Sequence, residues 1–520
     1  MLFFVFALTV IVWCLIKIAS KHYDYFEKRG IKFVKPYPLI GTNYWMLLKK
    51  AFAYDLQEKT KEFENEKIFG LYDFQTPVVV LNDPEIIKQI TVKDFDHFTD
   101  RRLFLNPKMS NVVANLLIVM KGKKWHEMRT SLTPIFTSSK MRLMFELISN
   151  CGQQFAENLE VDNAKYGGSK MYEAKDICTK YTCDVIASCA FGYQSDSFQD
   201  PDNQFYNLGR SLLELRTPKM TMKLLMMRFS PAISRLLGFS MFDRQAAQNF
   251  YRLIVETIAA REQKENVRPD LINLLAQLKK GDLKPVDEDG NEGNKTGPIK
   301  RHWTDDELVA QCFVFFFAGF ETVSTLLVFA TYELAVNPDI QLRLREEIEE
   351  IQEQLGHGVP ITYDAIQGMK YMDMVVNEAL RKWPPGLIVD RLCTKNYQYD
   401  DKEGLKFNVE VGDLVWIPIY PIHHNPKYYP DPEKFDPERF NEENKQSFNS
   451  ATFMPFGIGP RNCIGSRFAL LEVKTLLFYL LSKFVFELSS ETPVPAKLKP
   501  FIIGTAPEKP IMLKLKPLKL

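Results

Sequence analysis

Cys463 lies in the run Phe456-Gly457-Ile458-Gly459-Pro460-Arg461-Asn462-Cys463-Ile464-Gly465, which reads F-x-x-G-x-R-x-C-x-G, and a helix-forming stretch opens near Ser466. A thiolate that ligates a metal must be held deprotonated, and a helix N-terminus supplies positive dipole and free N–H groups beside it. Gly459 and Gly465 let the backbone fold tightly round the sulfur, Phe456 can shield it from water, and Arg461 carries a planar, permanent charge suited to a carboxylate. A lone cysteine before an amphipathic helix is ordinarily a buried free thiol. Five matched positions in a chain with 8 Cys among 520 residues have a chance occurrence well under about one in a thousand.

Three further constellations stand apart from the background. Glu378-Ala379-Leu380-Arg381 is an i, i+3 pair on one helical face, followed by the helix-stopping Trp383-Pro384-Pro385. Alone it is a common solvated pair; Arg439, in Pro437-Glu438-Arg439-Phe440, offers a second cation, and buried charges tolerate burial only when paired. Ala318-Gly319-Phe320-Glu321-Thr322 interrupts a long apolar helix, where glycine costs about 1 kcal/mol against Ala and a Thr hydroxyl can bond back to the carbonyl of Ala318. Read blandly, these residues form a helix–helix packing notch. Trp125 and Arg129, at i, i+4 on one helix, can bring an indole N–H and a guanidinium to the same anion, although such a pair is commonly surface plus core.

Together these motifs resemble the cytochrome P-450 superfamily of haem-thiolate monooxygenases. The resemblance implies haem b with Cys463 as axial ligand, cradled by Phe456, Gly457, Gly465 and Ala318. It implies propionate contacts from Arg461, Trp125 and Arg129, and from Arg391 and His423, which fall where such residues occur in relatives. A lone histidine is as readily a structural one. Glu378, Arg381 and Arg439 become a structural clamp behind the haem, while Glu321 and Thr322 deliver protons during oxygen activation. The position after the Thr, commonly Thr or Ser in the family, is Val323, with Ser324 one later.

The elements that must hold these groups are mainly helical. Thr304-Asp305-Asp306-Glu307 has the form of a capping box, and the apolar segment it opens runs to Asn337 before Pro338, on the order of 50 Å. Its Cys312–Phe317 stretch is apolar all round, which predicts burial through the centre of the fold. Strands are expected at Ile68–Tyr72 and Pro77–Leu81 as a hairpin, and around Arg391–Pro418. The fold class is therefore mainly α with small β-sheets, the cytochrome P-450 fold by resemblance. The polar stretch from about Lys279 to Lys300 reads as a surface loop.

The N-terminus is apolar from Leu2 to Ile16 except for Thr9, then basic at Lys17, Lys21, His22, Lys28 and Arg29. A run of fifteen residues falls short of the ~20 of a typical span, but snorkelling Lys17 can extend it, and no small-residue cleavage site follows. Residues 1–20 are expected to be an uncleaved signal-anchor, 21–41 a basic, proline-bearing hinge, and 42–520 the haem domain. The basic flank keeps the domain cytosolic, and an apolar rather than Arg-rich amphipathic start points to the endoplasmic reticulum instead of mitochondria. The cysteines show no even framework, as befits free thiols in a reducing compartment. The sequon Asn294-Lys295-Thr296 should then stay bare.

With 520 residues, 46% hydrophobic, and net charge +1, nothing favours nucleic acid as a partner. No G-x-G-x-x-G, P-loop, H-E-x-x-H or G-x-S-x-G motif is present. Electrons must come from another protein: relatives with this plan use NADPH-cytochrome P-450 reductase, sometimes aided by cytochrome b5. Lys121, Lys123 and Lys124 are candidates for docking that acidic partner, or a solvated patch. Substrate-contacting positions of the family map onto Arg101–Val119, Phe313–Thr322, Pro385–Val389 and Pro500–Thr505, rich in apolar residues, so the substrate is expected to be an apolar small molecule. The Met-rich Met220–Phe229 run would dip into the membrane or simply pack. The pattern is most similar to insect microsomal enzymes of the branch related to mammalian family three, many of which oxidise plant toxins and insecticides. A dedicated endogenous hydroxylase (hormone, fatty acid or terpenoid) would carry the same motifs. A haem-thiolate isomerase or dehydratase would not need the Glu321-Thr322 pair, and a haem carrier or sensor would not depend on reductase.

Overall fold

The computed structural model describes residues 20–102, 111–168, 170–200, 202–213, 244–262, 270–280, 303–356, 358–402, 404–445 and 449–518, with isolated positions 3, 4, 6, 10, 13, 16, 17 and 226. Most of the expected anchor and of the Met-rich run, nearly all of the 279–300 loop with Asn294, and residues 103–110 of the first substrate-contacting stretch lie outside these residues.

The capping box forms as the sequence predicts. Thr304 Oγ1 accepts from the Glu307 amide at 3.3 Å and Glu307 Oε2 from the Thr304 amide at 3.1 Å, opening the helix Asp305–Val336. Among the described residues it alone is long and apolar enough to cross a membrane, but it is the buried spine of the molecule. The helices of ten residues or more are α1 Phe52–Glu62, α2 Gly122–Leu132, α3 Ser138–Ala164, α4 Ala174–Phe191, α5 Gln204–Leu213, α6 Arg244–Glu262, α7 Leu271–Lys280, α8 Asp305–Val336, α9 Pro338–Leu355, α10 Lys370–Lys382 and α11 Ser466–Leu481. α4 packs along α8, and α11 lies against α3, α8 and α10, so the helices share one apolar core.

The hairpin is β1 Ile68–Asp73 with β2 Thr76–Leu81, antiparallel with Ile68 opposite Leu81. β3 is Met171–Glu173; β4 Val389–Leu392, β5 Tyr397–Asp400, β6 Lys406–Val409 and β7 Leu414–Ile417 occupy the stretch expected to hold strands; β8 Phe484–Leu488 and β9 Met512–Pro517 close the chain. One sheet has the order β1-β2-β7-β4, a second β3-β9-β8, and β5 pairs with β6 alone. The first sheet covers a second core that contains Phe26, Tyr72, Val79, Val415 and Ile417.

That core alters the expected hinge. Phe26 is fully buried, its ring 5.1 Å from Tyr72 and 5.9 Å from Phe33, and the Val34 amide donates to the Gly70 carbonyl at 3.0 Å. Aromatic residues interleaved with the basic ones pack parts of the segment 21–41 against the sheet.

Candidate active site

A cavity of about 410 Å³ lies between the middle of α8 and the loop that carries Cys463. The loop is wound by the Cys463 amide donating to the Phe456 carbonyl at 2.8 Å and the Asn462 amide to that of Gly459 at 2.9 Å. Gly457 and Gly459 have φ +78° and +75°, and a Cβ on Gly459 would strike the carbonyl of Thr91. Gly465 departs from expectation: its φ is −94°, open to any residue, and an added Cβ would meet nothing nearer than Phe136 Cε1 at 3.8 Å. Its small size leaves space beside the sulfur rather than enabling a turn.

Cys463 lies deep in the protein yet presents its sulfur to the cavity. Burial pushes its thiol up, against the Gly465 amide and the guanidiniums of Arg129 and Arg101, which pull it down. Burial thus outweighs that amide and the two guanidiniums, and a coordinated metal would itself deprotonate the thiol.

Phe456, Gly457, Arg461, Trp125, Arg129, Ala318 and Thr322 all line the same cavity. Arg461 donates to the carbonyls of Thr99 and Met120 at 2.8 Å each and stacks 4.0 Å from the Trp125 ring, and burial lowers it to about 9. Arg129 is turned toward the loop, donating to the Asn462 carbonyl and Oδ1 at 3.0 and 2.7 Å. Arg391, in β4, is buried with a bond to the Ile458 carbonyl at 2.9 Å, and burial with the neighbouring Arg101 charge lowers its pKa well below the usual guanidinium range. Arg101, read from sequence only as part of a substrate stretch, proves central: its Nη2 donates to the Arg461 carbonyl at 2.8 Å while its Nε is buried without a partner, as is the Nε of Arg391. Nothing in the sequence around Arg101 marks it; only the fold brings it to Arg461.

His423 is not brought to the cavity. Its Nδ1 faces the Arg381 carbonyl at 3.2 Å and its Nε2 accepts from the Met454 amide at 3.1 Å, and burial lowers it to about 3. It ties the clamp to Met454, just ahead of the cysteine loop. In the clamp, Arg381 Nε and Nη2 meet the Glu378 oxygens at 2.7 and 2.8 Å, both side chains fully buried, and Glu378 Oε1 also accepts from the Asp436 amide at 2.9 Å. Arg439 stands 3.4 Å from Glu378 and donates to the Asp431 carbonyl at 2.8 Å, so it joins as the outer member.

On the far wall α8 runs unbroken through residues 318–322, and Thr322 Oγ1 donates to the Ala318 carbonyl at 2.5 Å as anticipated. A Cβ on Gly319 would run into Ile186 of α4, so the packing notch is real as well. Glu321 does not line the cavity; it pairs with Lys175 of α4 at 3.0 Å. Val314, Phe315, Ile388, Val389, Leu117 and Ile118 give the cavity its apolar wall, while Ile503 and Gly504 border a second, adjoining space of about 220 Å³.

The family profile for cytochrome P450 matches residues 32–515. The chain belongs to the cytochrome P450 family. It is 43% identical to cytochrome P450 9e2 of Blattella germanica over 95% of this chain and 94% of that protein. It is 40% identical to probable cytochrome P450 9f2 of Drosophila melanogaster, with 92% of each covered, and 37% identical to cytochrome P450 6j1 of Blattella germanica, with 94% and 92% covered. It is thus a P450 monooxygenase similar to insect P450 enzymes, of a family that carries haem on a cysteine thiolate. The donor set fits that group: a cavity-facing sulfur lies under open space. Beside it the guanidiniums of Arg101, Arg391 and Arg461 have Asp100 and Asp390 as neighbouring carboxylates, and Arg129 adds a fourth cation bonded to Asn462, a basic rim suited to the carboxylates of a haem.

Proposed function

We propose that this P450 inserts one oxygen atom from O2 into apolar small molecules, xenobiotics such as plant toxins or insecticides, using electrons from NADPH through a separate cytochrome P-450 reductase. Residues 1–20 anchor it in the endoplasmic reticulum membrane, with the catalytic domain in the cytosol. The observation that carries the reading is the cavity: apolar walls above the Cys463 loop, with the charged lining residues Arg101, Arg129 and Arg461 beside that loop.

Cys463 would hold the haem iron, which would supply the oxygen-activating chemistry. Arg101, Arg129, Arg391, Arg461 and Trp125 would hold the propionates, while the Glu378–Arg381–Arg439 clamp keeps the loop's supporting layer in place. Val314, Phe315, Ile388 and Val389 exclude water and present an apolar surface to substrate. Glu321 takes up protons from water and Thr322 passes them into the cavity. For reductase docking, Lys124 is already committed to Glu307 at 3.2 Å and Asn115 at 2.6 Å, whereas Lys123, only loosely paired with Glu127 at 3.7 Å and 90% exposed, presents charge to an acidic partner together with Lys121.

The test is NADPH consumption and product formation by membrane-expressed protein with purified reductase and a panel of apolar toxins and insecticides. Substrate-dependent NADPH use with hydroxylated products supports the reading. Reductase-independent conversion would favour an isomerase, and turnover confined to a hormone, fatty acid or terpenoid would favour the dedicated hydroxylase.

A further inference from the structure

Glu321 and Thr322 are neighbours that meet different surroundings: Thr322 lines the cavity, whereas Glu321 reaches Lys175 near the start of α4. Lys175 Nζ stands 3.0 Å from Glu321 Oε2 and donates to Ser324 Oγ at 2.7 Å; Ser324 Oγ in turn donates to the Glu321 carbonyl at 3.2 Å. The Lys175 and Glu321 side chains keep 31% and 17% of their exposure, so the pair sits where the helix interface meets water, while Ser324 is fully buried. Lys175, Thr182 and Ile186 share one face of α4. Thr182 donates to the Phe320 carbonyl at 3.1 Å, and Ile186 fills the space left by Gly319. One helical face thus holds three consecutive residues of α8, and Lys175 is its contact with the acid. Ser324, one position later than the family's usual hydroxyl, serves that contact rather than the cavity.

We propose that Lys175 is a positioning residue for the monooxygenase reaction: with Ser324 it fixes the Glu321 carboxylate at the water-facing side of α8, where protons enter. The carboxylate takes a proton from water and gives one toward the Thr322 hydroxyl, which passes its own inward; each group ends as it began. The inference rests on the reading of Glu321 and Thr322 as the proton route.

The test compares Lys175→Met, Lys175→Arg, Glu321→Gln and the double variant Lys175→Met/Glu321→Gln in full-length, haem-loaded protein. One readout is the ratio of peroxide to product with reductase. The other, independent of turnover, is carbodiimide labelling of Glu321 followed by peptide mass spectrometry. Lys175→Met should raise both by roughly two- to fivefold, the range open to a partly exposed ion pair. Lys175→Arg should stay near wild type, and the double variant should uncouple no further than Glu321→Gln. If Glu321→Gln uncouples but Lys175→Met changes neither readout, Lys175 is an ordinary surface partner and the proposal fails alone. If Glu321→Gln leaves coupling intact, the proton route itself falls and the proposal with it.

Discussion

Residue by residue, the strongest commitments are buried charges with named partners. Glu378 and Arg381 are both fully buried in a two-point contact, whereas Arg439 touches the same carboxylate at 3.4 Å from the edge. Removing one partner of a buried pair leaves an uncompensated charge, so Arg381→Ala should cost about 3–5 kcal/mol and most of the haem content. Arg439→Ala should cost visibly less, read from denaturation midpoints and haem per polypeptide. Equal losses would contradict this ranking. His423 gives a pH test. Burial holds its ring neutral, with its titration lowered from 6.5 to about 3. A depressed folded value means stability that is whole above about pH 6.5 and is lost as pH falls toward 3, because the unfolded chain binds the proton first. His423→Gln should therefore show a melting temperature that falls less steeply with acid than wild type over that interval. Parallel curves would contradict it.

Among the elements, periodicity and capping made most of the architecture legible. The Thr304 box, the α8 apolar run and the β1–β2 hairpin lie where local signals put them, because each is specified by residues a few positions apart. What stayed hidden depends on long-range contacts. Arg101 joins the guanidinium cluster only because its chain meets the loop some 360 positions later, and Lys175 finds Glu321 only through the packing of α4 on α8. His423 was placed by analogy of position, and its burial against the clamp gives it other work. Phe26 hid among basic residues that read as a linker. The cysteine loop has its own test. Gly459 combines a left-handed φ with contact against the Thr91 carbonyl, so Gly459→Ala should cost at least the roughly 1–3 kcal/mol of a strained backbone position and deplete haem. Gly465→Ala should spare the backbone, since its φ is −94°. Equal destabilisation by the two would overturn the distinction.

At the scale of the molecule, one buried helix crosses the core, and the site lies between it and the cysteine loop on the far side. The proposed topology leaves the whole catalytic domain in the cytosol, so Asn294 should carry no glycan when the protein is expressed in a eukaryotic cell. A mobility shift reversed by endoglycosidase and abolished by Asn294→Gln would place the domain in the lumen. The account nevertheless stands or falls on one sulfur. The most direct measurement is the carbon monoxide difference spectrum of the dithionite-reduced, membrane-expressed protein beside Cys463→Ser. The account predicts a Soret band shifted far to the red, lost in the variant while the polypeptide stays folded. A spectrum typical of histidine ligation in the folded wild type, or a red-shifted band that survives Cys463→Ser, would contradict it.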